Sequence, residues 1–385
     1  MKILILCDYY PIYLNEFYAK YPEMSALSFK EQQQKLFDDH FSWPSDLCRY
    51  LIQRGIDAEC IIQNAEILQR QWALENGVEF SEDSHWEKTI VLGQLRFFKP
   101  DILVKINPDE GFNDLVKKAE DSFKKRIFYL GHRIPSRQCV EEADYILTAY
   151  PEKVFRIYPH IKNVANVYPV FCPDIVDGLS VTEKKYDVVF FGNISPQHKK
   201  RAEVLSHLVE NGIDIKIFGK VSGSGIKAAF KKCVRSFIKG EFRKAFDCLV
   251  NDLFRSQYRK HIRTIKKVIN PPVFGMECYR MLSQAHIGLN VHIDMAEGQF
   301  SGNIRMFETT GVGTCLLTEE MAGNPHFFEP DKEVLTFKSK EDLLTMLQQM
   351  DFKSERIQEI ARAGQERTLR DHSTMRMCDQ LMAVI

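Results

Sequence analysis

The sequence lacks the motifs that would assign it quickly to a familiar class. No apolar run reaches the roughly 20 residues that span a bilayer. The phosphate loop GxxxxGKS/T, the dinucleotide fingerprint GxGxxG and the motifs HExxH and GxSxG are all missing. These absences exclude the sequence signatures of P-loop nucleotide hydrolases, dinucleotide-dependent oxidoreductases, zinc proteases and serine hydrolases.

An excess of charge of one sign is absent as well. Lysine and arginine together number 52, and aspartate and glutamate also number 52, so the formal net charge is zero. Proteins that bind nucleic acid over a large surface usually carry a marked positive excess. The sequence therefore predicts no nucleic-acid partner.

Paired cysteines are also lacking, because the ten cysteines are scattered singly and none forms a CxxC pair. Several lie in apolar, strand-like runs, which is typical of buried, reduced thiols rather than of disulfides or a zinc site. Residues 1–8 are too short for a signal peptide and lack a cleavage site. We therefore expect a cytoplasmic protein without a metal site.

What the sequence does contain is a series of short apolar runs with helical segments between them. Its 385 residues favour two domains rather than one core. Continuous apolar runs suit strands covered on both faces, and their alternation with helices predicts a parallel, doubly wound α/β sheet. The strands predicted in the first half are Lys2–Cys7, Ala58–Ile62, Ile102–Ile106, Arg126–Leu130, Tyr145–Thr148 and Val164–Val167, with helices such as Trp43–Arg54 and Trp86–Phe98 between them.

The strand pattern restarts after a polar stretch at 177–185. We therefore predict an N-terminal domain over 1–172, a C-terminal domain over 185–365, and a last helix over 366–385 that packs back on the N-terminal domain. Ligands of doubly wound sheets bind at the carboxyl ends of the strands, so we expect the site in a cleft between two facing sheets. The strands predicted in the second half are Tyr186–Phe191, Ile213–Phe218, Ala285–Val291, Thr314–Leu317 and Val334–Phe337.

A basic segment over 222–268 interrupts the second half. From 226 to 268 it carries 13 lysines and arginines against 3 acidic residues, and its phenylalanines recur at near-helical spacing. This pattern predicts a basic amphipathic helical insertion. Two interpretations stay open: the insertion packs its aromatic side chains on the domain, or it docks on anionic lipid or a polyanionic acceptor.

The residues from 288 to 313 carry the clearest chemistry: GLNVHID, then EG, then NIRMFETTGVG. A strand ends here, a polar loop follows, and a helix is predicted to start near residue 302 or 303. A helix N-terminus favours phosphate, because its free N–H groups and its dipole attract anions. Arg305 could add charge-assisted bonds to a diphosphate, and Glu308, one turn further along, could accept hydrogen bonds from a ribose diol.

This block resembles the sugar-nucleotide motif of group-1 GT-B glycosyltransferases, and in particular of the CgeB-like, spore-maturation-type branch. The runs ILILCDYYPIYLNEFY, LGQLRFFKPDILV, GNISPQHKKR, VFGMECYRML and AGQERTLRDHS resemble the same group in the same order. The resemblance covers most of both halves apart from the basic segment. It implies a GT-B fold, in which two Rossmann-like domains with parallel sheets face each other across a cleft.

The resemblance also implies that the second half binds a nucleoside-diphosphate sugar and that Glu308 holds its ribose. Many members have a second glutamate eight residues earlier, where this chain has Phe300, so the two-glutamate motif is incomplete here. The predicted donor-binding residues are Gly192, His198, Lys199, Arg201, Gly219, Asn290, His292, Asn303, Arg305, Glu308 and Gly311.

The loop over 192–201 corresponds to a loop whose arginine and lysine neutralise the leaving diphosphate in related enzymes. Asn193 stands where the arginine often lies. The charge is therefore left to His198, Lys199 or Arg201, and the alternative is that these cations face solvent at the start of a helix.

In the first half, the resemblance implies a histidine beside the transferred sugar. His132 follows a predicted strand and is the candidate, so the predicted catalytic residues are His132 and Glu308. Asp8, Tyr9 and Tyr10 follow the first strand and are predicted to contact the acceptor, although Asp8 could equally cap a turn.

We therefore expect a glycosyltransferase that moves a sugar from a nucleoside-diphosphate sugar to a glycan, lipid-linked glycan or glycoprotein acceptor. The chain has no DxD pair for a metal-bridged diphosphate, and GT-B enzymes use helix dipoles and cations instead, so we expect neither metal nor cofactor. Two alternatives stay open: a non-catalytic GT-B-like binding module, which Phe300 and Asn193 favour, and a nucleotide-sugar epimerase. The basic residues over 226–268 favour a lipid-linked or anionic acceptor and peripheral association with the inner face of the cytoplasmic membrane.

Overall fold

A computed structural model describes most of the chain as two compact units. Unit 1 comprises Met1–Ile175, Phe274–Met276 and Asp371–Ile385, and unit 2 comprises Val176–Val273 and Glu277–Arg370. The residues described are 1–80, 86–109, 119, 123–131, 140–180, 183–196, 198–222, 257–292, 303–321 and 324–385.

Unit 1 is built on a parallel sheet of six strands in the order β2-β1-β3-β4-β5-β6. Successive residues of β1 point to opposite faces: Ile3 and Ile5 join one buried cluster, while Leu4 and Leu6 join another. Both faces are therefore covered, which explains why these strands are continuously apolar. The strands are β1 Lys2–Cys7, β2 Asp57–Ile62, β3 Ile102–Ile106, β4 Lys125–Leu130, β5 Tyr145–Thr148 and β6 Val164–Asn166.

The helices of unit 1 connect these strands and cover the sheet. Phe29–Asp38 begins with a capping box, in which Ser28 and Glu31 satisfy each other's backbone N–H groups. The last helix, Thr374–Val384, packs Met377 and Leu381 into the same buried cluster as Ile3. The other helices are Pro11–Lys20, a short 3-10 turn at Pro22–Ala26, Trp43–Gln53, Glu66–Glu75, Trp86–Phe98, Pro151–Ile157 and Asp174–Asp177.

Unit 2 also has a parallel sheet of six strands, in the order β12-β11-β10-β7-β8-β9. Counted from its own first strand, this is the order 6-5-4-1-2-3 of a Rossmann-type sheet. The strands are β7 Tyr186–Phe191, β8 Ile215–Phe218, β9 Ile269–Asn270, β10 Ala285–Asn290, β11 Cys315–Glu319 and β12 Leu335–Phe337.

Several helices of unit 2 contribute apolar side chains to its buried cluster. The helical residues 257–265, at the end of the basic segment, place Tyr258, Ile262 and Ile265 in the buried cluster of the unit. The rest of that segment, from 223 to 256, lies outside the described residues. The other helices are Lys199–Glu210, Gly275–Ser283, Ile304–Gly311, Asn324–Phe327, Lys340–Gln349 and Glu355–Asp371.

The predicted fold class is confirmed, because both halves are α/β units with parallel six-stranded sheets. The two units divide after Ile175, and unit 1 takes Asp371–Ile385 and the segment Phe274–Met276 from the second half. The seven described cysteines are free and buried, as expected. None of the helices in the described ranges is both long enough and apolar enough to cross a membrane.

Candidate functional site

The candidate site lies where the sheet of unit 2 reverses its strand order. β7 is the first strand of this unit and β10 is the fourth, yet the two are neighbours. The chain leaves β7 toward β8 on one side and leaves β10 toward β11 on the other. Ligands of doubly wound sheets bind at the carboxyl ends of the two strands that flank such a reversal. The residues that follow these ends are Gly192 after β7 and Val291 and His292 after β10.

Two predicted donor-binding glycines lie close together at this edge. A Cβ atom on Gly219 would lie 2.1 Å from the carbonyl oxygen of Gly192. The backbones run this close because pairing continues past the strand ends: Gly192 N donates to Phe218 O at 3.0 Å, and Ile194 N donates to Lys220 O at 2.9 Å. The packing alone therefore requires glycine at 219, and the role of both glycines in donor binding stays a prediction.

Arg201 joins the two loops at the reversal. Its side chain is buried, and the guanidinium donates to Val291 O at 2.8 and 3.1 Å and to Asn193 O at 2.7 Å. Val291 belongs to the loop after β10, and Asn193 to the loop after β7. Arg201 therefore holds these loops together through charge-assisted hydrogen bonds. This is a structural role, and the contact of Arg201 with phosphate stays a prediction.

His198 and Lys199 stand at the start of the 12-residue helix Lys199–Glu210. His198 occupies the N-cap position, and its Nδ1 lies 2.8 Å from Ser195 Oγ. Lys199 and Lys200 are both exposed. The N-terminal end of this helix, with its partial positive charge, thus lies directly after the strand end at Gly192.

A buried carboxylate at the end of β11 organises the polar side chains near the reversal. Glu319 Oε2 accepts the backbone N–H of His292 at 2.7 Å and lies 3.3 Å from Nδ1 of the same residue. Glu319 Oε1 lies 2.6 Å from Lys200 Nζ. The side chains of His292 and Glu319 are 6% and 7% exposed, whereas that of Lys200 is 61% exposed. We call these three residues the Glu319 cluster.

The carboxylate of the Glu319 cluster is charged at neutral pH. Burial by itself raises the pKa of Glu319, but hydrogen bonds from His292 and Lys200 outweigh it and lower this pKa to about 2. Glu319 is therefore ionised in the folded protein. Its Oε2 lies beside Nδ1 of His292, and both ring nitrogens of His292 are buried without a hydrogen-bond partner among the described residues.

Asn290 links the end of β10 to the following helix. Its Nδ2 donates to Thr318 Oγ1 at 2.9 Å, and its Oδ1 accepts from Asn303 Nδ2 at 2.9 Å. Asn303 is the N-cap residue of Ile304–Gly311, so the predicted helix start is confirmed. The N-terminus of this helix is thereby tied to the same strand end as His292.

Glu308 and Arg305 form an ion pair one turn into that helix. Arg305 Nη1 lies 2.9 Å from Glu308 Oε2, and the guanidinium also lies over the ring of Phe191 at 5.5 Å. Burial opposes the charge on Arg305, but Glu308 outweighs it and raises the pKa of this arginine. The hydroxyl of Tyr279 donates to Glu308 Oε1 at 3.4 Å. The two residues of the predicted diphosphate and ribose contacts are therefore adjacent and mutually oriented.

Glycines let this helix lie close to the sheet. A Cβ on Gly288 would lie 2.3 Å from Thr309 Cγ2, so the helix packs directly on β10. After the helix, Gly313 adopts φ +75, which favours glycine. Gly311 O accepts a hydrogen bond from Gln365 at 2.9 Å, and donor contact by Gly311 stays a prediction.

In unit 1, the three predicted acceptor residues differ in exposure. Tyr9 is buried, and its hydroxyl donates to Ser45 Oγ at 2.9 Å. The Asp8 side chain is 44% exposed, and Tyr10 is 57% exposed. Only Asp8 and Tyr10 therefore present their side chains to solvent. The predicted catalytic His132, and the position Phe300, lie outside the described residues.

The predicted site set did not include Glu319 and Lys200, which carry the charges of the Glu319 cluster. The signal for Glu319 was a carboxylate that ends the apolar run TCLLTE. In the structure Thr318, the residue before Glu319, pairs with Asn290 in the parallel register. This pairing places Glu319 beside His292. The role of Glu319 could be inferred only once β10 and β11 were known to be neighbours in the sheet.

Comparison with known proteins agrees with the fold described above. Residues 201–383 match the model of a family described as glycosyl transferase-like. No protein of curated function matches the chain in sequence. HepE from Anabaena, solved with UDP and glucose, superposes with a TM-score of 0.55 at 10% identity, covering 100% of this chain and 98% of that one.

Two further solved structures show the same likeness over the whole chain. A glycosyltransferase from Rickettsia africae gives a TM-score of 0.57 at 10% identity, with 100% and 97% of the two chains covered. Sucrose-phosphate synthase from Thermosynechococcus elongatus gives 0.53 at 9% identity, with 100% and 98% covered.

The fold of the whole chain is thus that of the GT-B glycosyltransferases. The family match covers residues 201–383, just under half of the chain, and the likeness to these solved structures concerns the fold.

Proposed function

We propose that this protein binds a nucleoside-diphosphate sugar at the β7/β10 reversal and transfers the sugar to a glycan, lipid-linked glycan or glycoprotein acceptor. The observation that carries the proposal is the Glu319 cluster, which lies at the strand ends where a sheet of this order binds its ligand. HepE from Anabaena was solved with UDP-glucose, which makes UDP-glucose the first donor to test. The family match over 201–383 and the fold support the assignment of this chain to the group-1 GT-B glycosyltransferases, and we propose the CgeB-like branch as its subfamily.

The charges near the reversal favour a diphosphate. Lys200 is 61% exposed and lies in the first turn of Lys199–Glu210, so its ammonium group and the helix N-terminus present positive charge together. Ionised Glu319 holds Lys200 in place without burying it. We propose that the diphosphate oxygens contact this helix end and Lys200.

His292 supplies a second contact. Its side chain is more than nine-tenths buried, and Nε2 has no hydrogen-bond partner among the described residues. A buried polar atom without a partner costs stability, so such an atom at a ligand-binding edge points to a bonding group on the ligand. We propose that Nε2 of His292 donates a hydrogen bond to a diphosphate oxygen.

Arg305 and Glu308 suit the remaining parts of the nucleotide. Asn303 fixes the N-terminus of their helix to Asn290, and Asn303 Oδ1 is buried without a hydrogen-bond partner among the described residues. We propose that this end of the helix faces the nucleotide, with Arg305 toward the diphosphate and Glu308 toward the ribose diol.

The chemistry needs positive charge at the leaving group. Transfer breaks the bond between the anomeric carbon and the diphosphate oxygen, and the acceptor hydroxyl oxygen forms the new bond to that carbon while its proton is lost. Negative charge then builds on the diphosphate, where preorganised cations and helix dipoles stabilise it. Lys200, Arg305 and two helix N-termini supply this charge, and His292 adds a hydrogen bond, so we propose that the reaction needs no metal.

The test is calorimetric titration of UDP and UDP-glucose into the full chain, followed by product analysis with EDTA present. Lys200→Met, His292→Asn and Glu308→Ala should each weaken binding about tenfold or more, the effect of losing a bond to a charged group. Lys338→Met, an exposed lysine of the same unit whose side chain is 77% accessible, is the matched control and should bind like the wild type. Wild-type protein that binds neither compound would contradict the proposal.

Product analysis separates the alternatives. Binding without turnover would favour a non-catalytic GT-B-like module, and an altered nucleotide sugar formed without acceptor would favour an epimerase.

The end of the basic segment supports a separate proposal of peripheral binding to anionic membrane. The helical residues 257–265 bury their apolar face, while the exposed basic side chains around them are Lys260, Arg263, Lys266 and Lys267. Changing these four to Glu should reduce sedimentation with anionic vesicles, whereas Lys216→Glu and Lys338→Glu should not. Unchanged sedimentation would refute the membrane role for this stretch.

A further inference from the structure

A fully buried lysine lies in the middle of the unit 1 sheet. Lys105 belongs to β3, its side chain is 1% exposed, and it stands beside Leu6 and Phe128 of the neighbouring strands. Burying an ammonium group is costly, and an apolar residue of similar volume usually stabilises such a position as well or better. The fold of the strand alone therefore does not account for Lys105.

The ammonium group of Lys105 reaches the end of the neighbouring strand. Its Nζ lies 3.4 Å from Oδ2 of Asp8, and Gln63 Nε2 donates to the same oxygen at 3.4 Å. Asp8 is 44% exposed, and its other oxygen, Oδ1, has no hydrogen-bond partner among the described residues. One oxygen is therefore fixed from inside the protein, and the other is presented to solvent.

The loop that carries Asp8 is also held firmly. Tyr9 N donates to Asn64 Oδ1 at 3.0 Å, and Asn64 Nδ2 donates to Tyr9 O at 2.7 Å. The buried hydroxyl of Tyr9 is bound by Ser45, as described above. Tyr10 in contrast leaves its ring 57% exposed. A fixed carboxylate and an exposed aromatic ring thus lie two residues apart on a pinned loop.

This pair lies at the reversal of the unit 1 sheet. The strand order β2-β1-β3 places the first and third strands side by side, and Asp8 follows one while Lys105 lies near the end of the other. A sheet of this order binds ligands at the carboxyl ends of those two strands. Glu87 and Asp109 are two further carboxylates that interact electrostatically with this pair. Burial raises the pKa of Glu87, the charges of Asp8 and Asp109 raise it further, and the charge of Lys105 lowers it.

We propose that Lys105 is a positioning residue that orients the Asp8 carboxylate as a site for sugar hydroxyls. Oδ1 of Asp8 accepts hydrogen bonds from hydroxyls of the acceptor sugar, and the ring of Tyr10 offers a face to its C–H groups. The assignment to the acceptor rests on the proposed function, while the site itself belongs to unit 1 alone.

The test titrates methyl α-D-glucopyranoside into the full chain, followed by ligand-observed NMR, and measures UDP binding in parallel. Lys105→Met and Asp8→Asn should each weaken glucoside binding about tenfold, the effect of losing a bond to a charged group. The double variant should be no weaker than either single variant, because Lys105 acts through Asp8. UDP binding should stay unchanged throughout, and Lys105→Met should melt at the wild-type temperature or above.

A matched control distinguishes positioning from stability. Val104→Ala changes the adjacent buried residue of β3, so it should lower the melting temperature while glucoside binding stays as in the wild type. Additive losses in the double variant, wild-type affinity in Lys105→Met, or no glucoside binding by wild-type protein that binds UDP would each overturn the inference. Absence of UDP binding with intact glucoside binding would instead contradict the proposed function and leave the unit 1 site standing.

Discussion

Replacing Glu319 by glutamine tests whether the Glu319 cluster is a charged, preorganised unit. The glutamine resembles a protonated carboxyl in size and shape, so the change removes the charge and little else. The contacts at risk are those to the backbone and ring of His292 and to Lys200. Both stability and ligand binding should fall.

The size of the stability loss follows from the pKa of Glu319. Folding lowers this pKa from 4.5 to about 2, a difference that corresponds to about 3 kcal/mol in favour of the folded, ionised form. A lowered pKa contributes stability that is fully present above the unfolded value and disappears as the pH falls toward the folded value. Glu319→Gln should therefore be about 3 kcal/mol less stable at pH 7, and the gap should shrink steadily below pH 4.5.

The assay must report on unit 2. The three tryptophans all lie in unit 1: Trp43, Trp72 and Trp86. Their fluorescence therefore reports the unfolding of unit 1 and not of unit 2. Hydrogen exchange of peptides that cover β10 and β11, measured across a urea series at pH 7, 5 and 4, reports the stability of unit 2. The control is Glu320→Gln, the next residue, whose side chain is 53% exposed. Equal stability of Glu319→Gln and wild type at pH 7, or a gap that widens on acidification, would refute the reasoning.

Two other predictions test packing and burial in unit 2. Gly219→Ala should destabilise the unit by about 2 kcal/mol, because the new Cβ would lie 2.1 Å from Gly192 O; a melting temperature equal to the wild type would show that the backbone yields freely there. Burial lowers the pKa of Lys184 to about 8 from 10.5, so its charge opposes folding at neutral pH. The stability of the wild type relative to Lys184→Met should rise by about 3 kcal/mol between pH 7 and pH 11, and a flat difference would contradict this assignment.

Strand positions could be predicted well because the signal is local. Runs such as YDVVFF and ILVKI are continuously apolar, and the sheet that buries both faces of a strand requires that pattern. β9 was not predicted, since a two-residue strand at Ile269–Asn270 has no periodicity to detect. The inclusion of Phe274–Met276 in unit 1 likewise depends on contacts distant in sequence.

The candidate site was harder to predict because charged residues that are adjacent in sequence differ in their burial. Lys200 and Arg201 are consecutive, yet one is exposed and the other is buried against two carbonyl groups. Successive residues of a helix point about 100° apart, so the fate of each cation depends on how the helix is rotated on the sheet. Glu319 shows the same limit, because its partner His292 is 27 residues away and reaches it only through strand adjacency.

The most direct test of the central claim is a crystal structure of the full chain with UDP. We predict the diphosphate at the carboxyl ends of β7 and β10, with phosphate oxygens about 3 Å from Lys200 Nζ and His292 Nε2. Diphosphate density away from these strand ends, with His292 Nε2 and Lys200 Nζ bonded only to protein or water, would contradict the account.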